Sequence, residues 1–235
     1  MKKILVSSVL IVSVFFLVAG GAVVDQSSST VRAGIRKIAW KILGHPLSTD
    51  QTHVQFKAVV DSGMPDAKFV MFGDSLTQYG NWAALIGRSD ILNFGLAGDT
   101  TDGMLDRLRP MDLSQKSVLV MGGVNDVLNG GEVDDIAGNL AEIVTILNKH
   151  GNTVYLQSTI YTRRAELNVV IDDLINRERE ICSDGKCTFV DVNRAVTGGK
   201  PLADDNSVDV VHLNYGGYLL WRDAIGSVFA SDGPA

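Results

Sequence analysis

Cysteine is scarce: two residues in a chain of 235, too few for a disulfide scaffold or a four-thiolate zinc site. Basic side chains are scarce beyond the N-terminus. Lys2, Lys3, Arg32, Arg36, Lys37 and Lys41 all precede residue 42, so residues 42–235 hold 15 basic against 26 acidic side chains. An acidic body of that kind repels a phosphate backbone and excludes nucleic acid as the main partner. The sequence has no internal repeat and no long Pro/Gly/Ser linker. With 46% hydrophobic and 20% charged residues, it is not a disordered chain either. What remains is a globular protein long enough for a substantial core.

Two lysines precede an uncharged run, Ile4 to Val24, rich in Val, Leu, Ile and Phe. Residues 1–24 therefore read as an export or membrane-insertion segment. A removed signal peptide and a retained anchor both fit: Gly20-Gly21-Ala22 offers small residues for cleavage, and the run is long enough to cross a hydrocarbon core of about 30 Å as a helix. Residues 25–63 form an extension. Within it Val31, Ile35, Ile38 and Ile42 recur at helical spacing opposite Arg32, Arg36, Lys37 and Lys41. This amphipathic helix suits either an anionic membrane surface or the body of the domain, so residues 4–44 carry the possible membrane contact. The expected location is outside the cytoplasm: periplasmic, secreted or anchored. Cys182 and Cys187 flank the turn-forming Ser-Asp-Gly-Lys and would form a disulfide in an exported chain, or stay as two thiols otherwise.

From residue 64 to 235, short β-rich runs alternate with helical patterns, which predicts parallel strands joined by helical crossovers. Strands are expected at 68–72, 91–94, 117–121, 153–157 and 188–192, and helices at 81–86, 101–108, 133–149, 165–181 and 215–229. The fold class is α/β, three-layer α/β/α around a five-stranded parallel, flavodoxin-like sheet. Ligands of such sheets bind beyond the carboxyl ends of the strands.

Four segments stand at those ends or near the C-terminus. The first strand runs into Gly73-Asp74-Ser75-Leu76, which lacks the G-x-S-x-G pattern of the α/β-hydrolase elbow. The second leads to Gly95-Leu96-Ala97-Gly98-Asp99-Thr100, where Gly95 reads as a turn glycine and Asp99 or Thr100 can cap the next helix. The third ends in Gly123-Val124-Asn125-Asp126, and Asp209-Val210-Val211-His212 lies near the C-terminus. A serine needs an adjacent base to attack a carbonyl, and imidazole suits that role near neutral pH. Of the four histidines, His45 and His53 precede the domain, and His150 follows a long helix where it serves the helix C-terminus. His212 is the best candidate, with Asp209 three residues earlier to orient it; taken alone it reads as a loop histidine before the C-terminal helix, with Asn214 as the cap. Asp74 and Asp126 are expected to hydrogen-bond turns. Tyr79, Asn81 and Trp82 are either pocket, core or helix-start residues.

In family order, these four segments resemble the SGNH hydrolases, the GDSL esterases and lipases, over roughly residues 66–230. The stretch from Asn93 to Leu108 is similar to the platelet-activating-factor acetylhydrolase-like branch. The resemblance implies a carboxylic ester hydrolase with Ser75 as nucleophile, Asp209 and His212 completing a triad, and the Ser75 N–H, the Gly98 N–H and the Asn125 amide as oxyanion donors. It implies no metal and no cofactor. The partners it implies are small-molecule esters, lipids or acylated carbohydrates, with short acyl groups preferred. An acyltransferase on cell-envelope glycans and a non-catalytic carbohydrate- or lipid-binding module are the rival readings.

Overall fold

The computed structural model describes residues 66–230; the expectations for residues 1–24 and 25–63 lie outside that range. Five parallel strands, β1 (Phe69–Gly73), β2 (Ile91–Gly95), β3 (Ser117–Met121), β4 (Thr153–Gln157) and β5 (Thr188–Val190), form one sheet in the order β2-β1-β3-β4-β5. The order reverses direction at β1, between β2 and β3, which is where open α/β sheets place their ligands.

The helices are α1 (Ser75–Gln78), α2 (Trp82–Ile86), α3 (Thr101–Leu108), α4 (Val124–Leu128), α5 (Val133–Lys149), α6 (Ala165–Ile181), α7 (Val192–Thr197) and α8 (Tyr215–Ala230). Strand side chains alternate between two cores. Val70, Phe72, Val118 and Val120 face α3, α5 and α6, while Phe69, Met71, Leu119 and Met121 face α2, α7 and α8. Both faces are covered, which is why β1 and β3 read as unbroken apolar runs. On α5, Ile136, Leu140, Ile143, Val144 and Leu147 form the buried stripe, each stabilising the fold by about 1.5–3 kcal/mol relative to exposure.

Three sequence expectations need correction. The last strand stops at Val190 rather than 192, because the Asp191 carboxylate accepts the Arg194 N–H and starts α7 with Val192 inside it. Asn81 is the N-cap of α2 rather than its first residue. Gly95 is no turn: it ends β2 where a Cβ would collide with the backbone of Thr77 and Gln78, so its absence lets α1 lie against the strand end. Cys182 and Cys187 are joined in a disulfide across the turn after α6, with 4.7 Å between their Cα atoms. His150 stands at the C-cap of α5. Among the described residues, no helix is long and apolar enough to cross a membrane.

Candidate active site

The β1 strand pairs with both neighbours in register, Gly73 opposite Gly95 on β2 and opposite Met121 on β3. The segments that follow these three strand ends, carrying Ser75, Gly98 and Asn125, therefore emerge at one edge of the sheet. A Cβ at Gly73 would strike the Met121 carbonyl and Thr77, so only glycine allows this close exit from the sheet. Asp74 caps α1, its Oδ1 accepting the Leu76 N–H at 2.9 Å. That cap turns Ser75 into the first residue of the helix.

The histidine arrives on a separate closed loop. Ser207 and Leu213 form an antiparallel bridge, and Val208 N–H donates to the His212 carbonyl at 2.9 Å. Arg163 braces the loop from outside: its N–H donates to the Val210 carbonyl, its Nε to Ser207 Oγ, and it pairs with Asp204. Inside the loop, Asp209 Oδ1 accepts the N–H groups of Val211 at 2.8 Å and His212 at 2.7 Å. This is an Asx turn, a local geometry that aspartate forms readily. After it, Asn214 Oδ1 accepts the Gly217 N–H and caps α8. Tyr218 then donates its hydroxyl to the Leu76 carbonyl at 2.7 Å, fastening α8 to the helix that begins with Ser75.

These two constructions bring Ser75, His212 and Asp209 into a hydrogen-bonded row. Ser75 Oγ lies 2.9 Å from His212 Nε2, and His212 Nδ1 lies 2.7 Å from Asp209 Oδ2. Burial pushes the Asp209 carboxyl up, but hydrogen bonds from the His212 backbone and ring and from Val211 outweigh it and hold the group at about 2. An ionised carboxylate only accepts, so Nδ1 carries the proton and Nε2 presents its lone pair to the serine.

On the other side, Asn125 Nδ2 donates to the Asp99 carbonyl at 2.9 Å, which fixes the amide against the residue after Gly98. Gly98 has φ 75°, in the left-handed region that suits glycine. Asp126, next in sequence, accepts from the N–H and the hydroxyl of Thr101, both at 2.9 Å, and so ties α4 to the start of α3. Thr100, not Asp99, is the N-cap of α3.

Asp99 has a different partner, which the sequence reading missed. Arg107 reaches back from α3 to pair with Asp99 Oδ2 at 2.6 Å and to donate to the Gly73 carbonyl at 2.8 Å, with its guanidinium over the Phe72 ring. It joins the end of β1 to the Gly98–Asp99 loop. Its signal was available: Arg107 lies three residues after Met104 and one before Leu108, on the apolar side of a helix where arginine is costly. The buried acids around it are perturbed. Burial, reinforced by Asp99 and Asp126, lifts Asp74 to about 7 despite the Leu76 N–H. Burial likewise raises Asp126 to about 6 against the hydrogen bonds from Thr101. Both make the turn contacts expected of them.

Trp82 belongs to the core, packed edge-on against Trp221 and Tyr218, with its Nε1 donating to the Thr77 carbonyl. Tyr79 is 58% exposed, and its ring centroid lies 5.3 Å from that of His212. Among the described residues, no group of three or more His, Cys, Asp or Glu side chains is placed to hold a metal ion.

This geometry coincides with the likeness to known proteins. Human platelet-activating factor acetylhydrolase IB subunit alpha2 is 37% identical over 91 residues, which is 36% of this chain and 38% of that protein. The chain thus matches less than half the length of the curated relatives. A GDSL-like lipase from Bacteroides thetaiotaomicron superposes with TM-score 0.64 at 21% identity, covering 77% of this chain and 96% of that one. A lipase/acylhydrolase from Enterococcus faecalis gives 0.59 at 23% identity, covering 69% and 95%. The model of the GDSL-like Lipase/Acylhydrolase family matches residues 71–220, and the chain belongs to that family.

Proposed function

We propose that this protein is a serine carboxylic-ester hydrolase that removes short acyl groups through an acyl-enzyme. The observation that carries the reading is the unbroken row from Ser75 Oγ through the His212 ring to the ionised Asp209 carboxylate. In the first half-reaction Ser75 Oγ attacks the ester carbonyl carbon while its proton passes to His212 Nε2. Asp209 holds the ring in place and stabilises the imidazolium. The negative charge on the carbonyl oxygen is taken by the Ser75 N–H, the Gly98 N–H and the Asn125 amide, groups already fixed by the Asp74 cap and the Asp99 carbonyl. The tetrahedral adduct then expels the alcohol, which takes the proton from His212. In the second half-reaction water gives a proton to His212 and attacks the acyl carbon, and the acid leaves as Ser75 regains its hydrogen.

The preference for short acyl chains is supported by the likeness of the matched segment to proteins named as acetylhydrolases. Export, as a periplasmic, secreted or anchored protein, is supported by the lysine-led apolar run from Ile4 to Val24 and by the Cys182–Cys187 disulfide, since such bonds persist mainly outside a reducing cytosol. The decisive experiment is a panel of chromogenic esters from acetyl to palmitoyl, assayed with the wild type and Ser75→Ala. Turnover falling steeply beyond butyryl, and lost in the variant, is expected. An optimum at long chains overturns the acyl preference, and a folded Ser75→Ala protein with wild-type turnover overturns the mechanism.

A further inference from the structure

The nitrogen that takes the serine proton must hand it to the departing alcohol, so the alcohol half of the ester leaves on the His212 side of the site. On that side stands the exposed ring of Tyr79, and beyond it opens a groove of about 620 Å³ between the α1–α2 segment and the first turns of α8. That volume lies in the range of small-molecule sites. Leu85 and Leu219 line its walls, and Tyr79 and Tyr215 its rim, Tyr215 being 73% exposed at the first position of α8. Asn81 and Arg222 add polar groups.

This mixture selects among alcohols. A long alkyl chain would gain nothing from the polar edge that Asn81 and Arg222 give the groove. An anionic headgroup would find Arg222 already paired with Asp223 at 2.6 Å, on a chain of net charge −6. A pyranose ring presents apolar C–H faces to aromatic rings and hydroxyls along its edge to amides and guanidinium groups, and the amphipathic tyrosines suit that contact. Resting on the ester-hydrolase reading above, we propose that the groove is a glycosyl subsite, and that the natural substrate is an acylated oligosaccharide whose sugar lies against Tyr79 and Tyr215 while its acyl carbonyl faces Ser75.

The test compares kcat/KM for 4-nitrophenyl acetate, glyceryl triacetate, an acetyl-alkyl glycerophosphocholine and fully acetylated xylotriose, in the wild type, Leu219→Trp and Tyr215→Ala. The wild type is expected to prefer the xylotriose ester to the glyceride by about tenfold or more per ester group. Leu219→Trp, which fills the groove, should lower the xylotriose value about tenfold further than the glyceride value, mainly through KM. Tyr215→Ala removes an exposed ring and serves the same purpose should the tryptophan variant fail to fold. Equal losses on all esters in the folded variants, or preference for the glyceride or the phospholipid, overturns the subsite. If the wild type cleaves 4-nitrophenyl acetate but shows no sugar preference, the subsite alone falls; if it cleaves no ester at all, the hydrolase reading falls with it.

Discussion

Asn125 donates one amide hydrogen to the carbonyl of Asp99, the residue that follows Gly98. The bond leaves the second hydrogen of the amide for a ligand and prevents the group from rotating. A donor fixed in this way acts on charge as it develops rather than on the neutral ester. Asn125→Ala should therefore lower kcat by about 10²- to 10³-fold with a smaller change in KM. A raised KM with kcat preserved would make Asn125 a ground-state contact instead.

The row of Ser75, His212 and Asp209 predicts non-additive losses. Ser75→Ala removes only the attacking oxygen at a capped turn and should leave the fold intact while abolishing turnover. His212→Ala should be similarly severe, and the double variant little worse than either, because the two side chains act as a unit. Multiplicative losses in steady-state assays would show that they serve separate steps.

The Asp99–Arg107 pair is buried on both sides, so removing one partner strands a charge. Arg107→Met should cost about 3–5 kcal/mol in chemical denaturation, and Asp99→Asn combined with Arg107→Met should recover part of it. Activity in the single variant should fall as well, because Arg107 also holds the Gly73 carbonyl beside the serine turn. A variant with unaltered denaturation midpoint would show that the charge finds other compensation.

The strands and long helices were legible because their apolar periods are clean: the expected bounds of α3, α5 and α6 and of β3 and β4 coincide with those observed. Of the short helices α2 was expected, one residue early, but α1, α4 and α7 were not, since they span four to six residues and are set by caps and sheet exits rather than by a periodic stripe. Ser75, His212 and Asp209 were named from their motifs, and the structure places the three in contact. Arg107 carried one local mark, its place on the apolar side of α3, but its contact with the Gly73 carbonyl 34 residues away leaves no pattern in the sequence. Tyr79 was ambiguous for a similar reason, because only the arrival of the 207–213 loop decides that it stands beside His212 while Trp82 enters the core.

Glu178 on α6 is buried, and its oxygens accept the N–H of Thr159, whose Oγ1 lies 2.7 Å from both Glu178 Oε1 and the Gly122 carbonyl. A threonine hydroxyl has one proton and cannot serve two acceptors. A neutral Glu178 resolves the conflict: its O–H donates to Thr159, and Thr159 donates to Gly122, just before the turn that launches α4 and Asn125. Burial in fact lifts Glu178 to about 8, against the hydrogen bonds from Thr159. A carboxyl whose folded value exceeds its unfolded value binds more protons when folded, so its contribution is fully present below the unfolded value near 4.5 and is lost as pH rises toward 8. Asp74 and Asp126, raised to about 7 and about 6, act in the same direction from near 3.8 upward. Melting temperature should accordingly be highest in mildly acidic buffer and decline between about pH 5 and pH 8. Glu178→Gln keeps a donor for Thr159 and cannot ionise, so its curve should decline less steeply and lie above the wild type at pH 8. Parallel curves for the two proteins would mean that Glu178 is ionised in the folded state and that Thr159 leaves the Gly122 carbonyl without its proton.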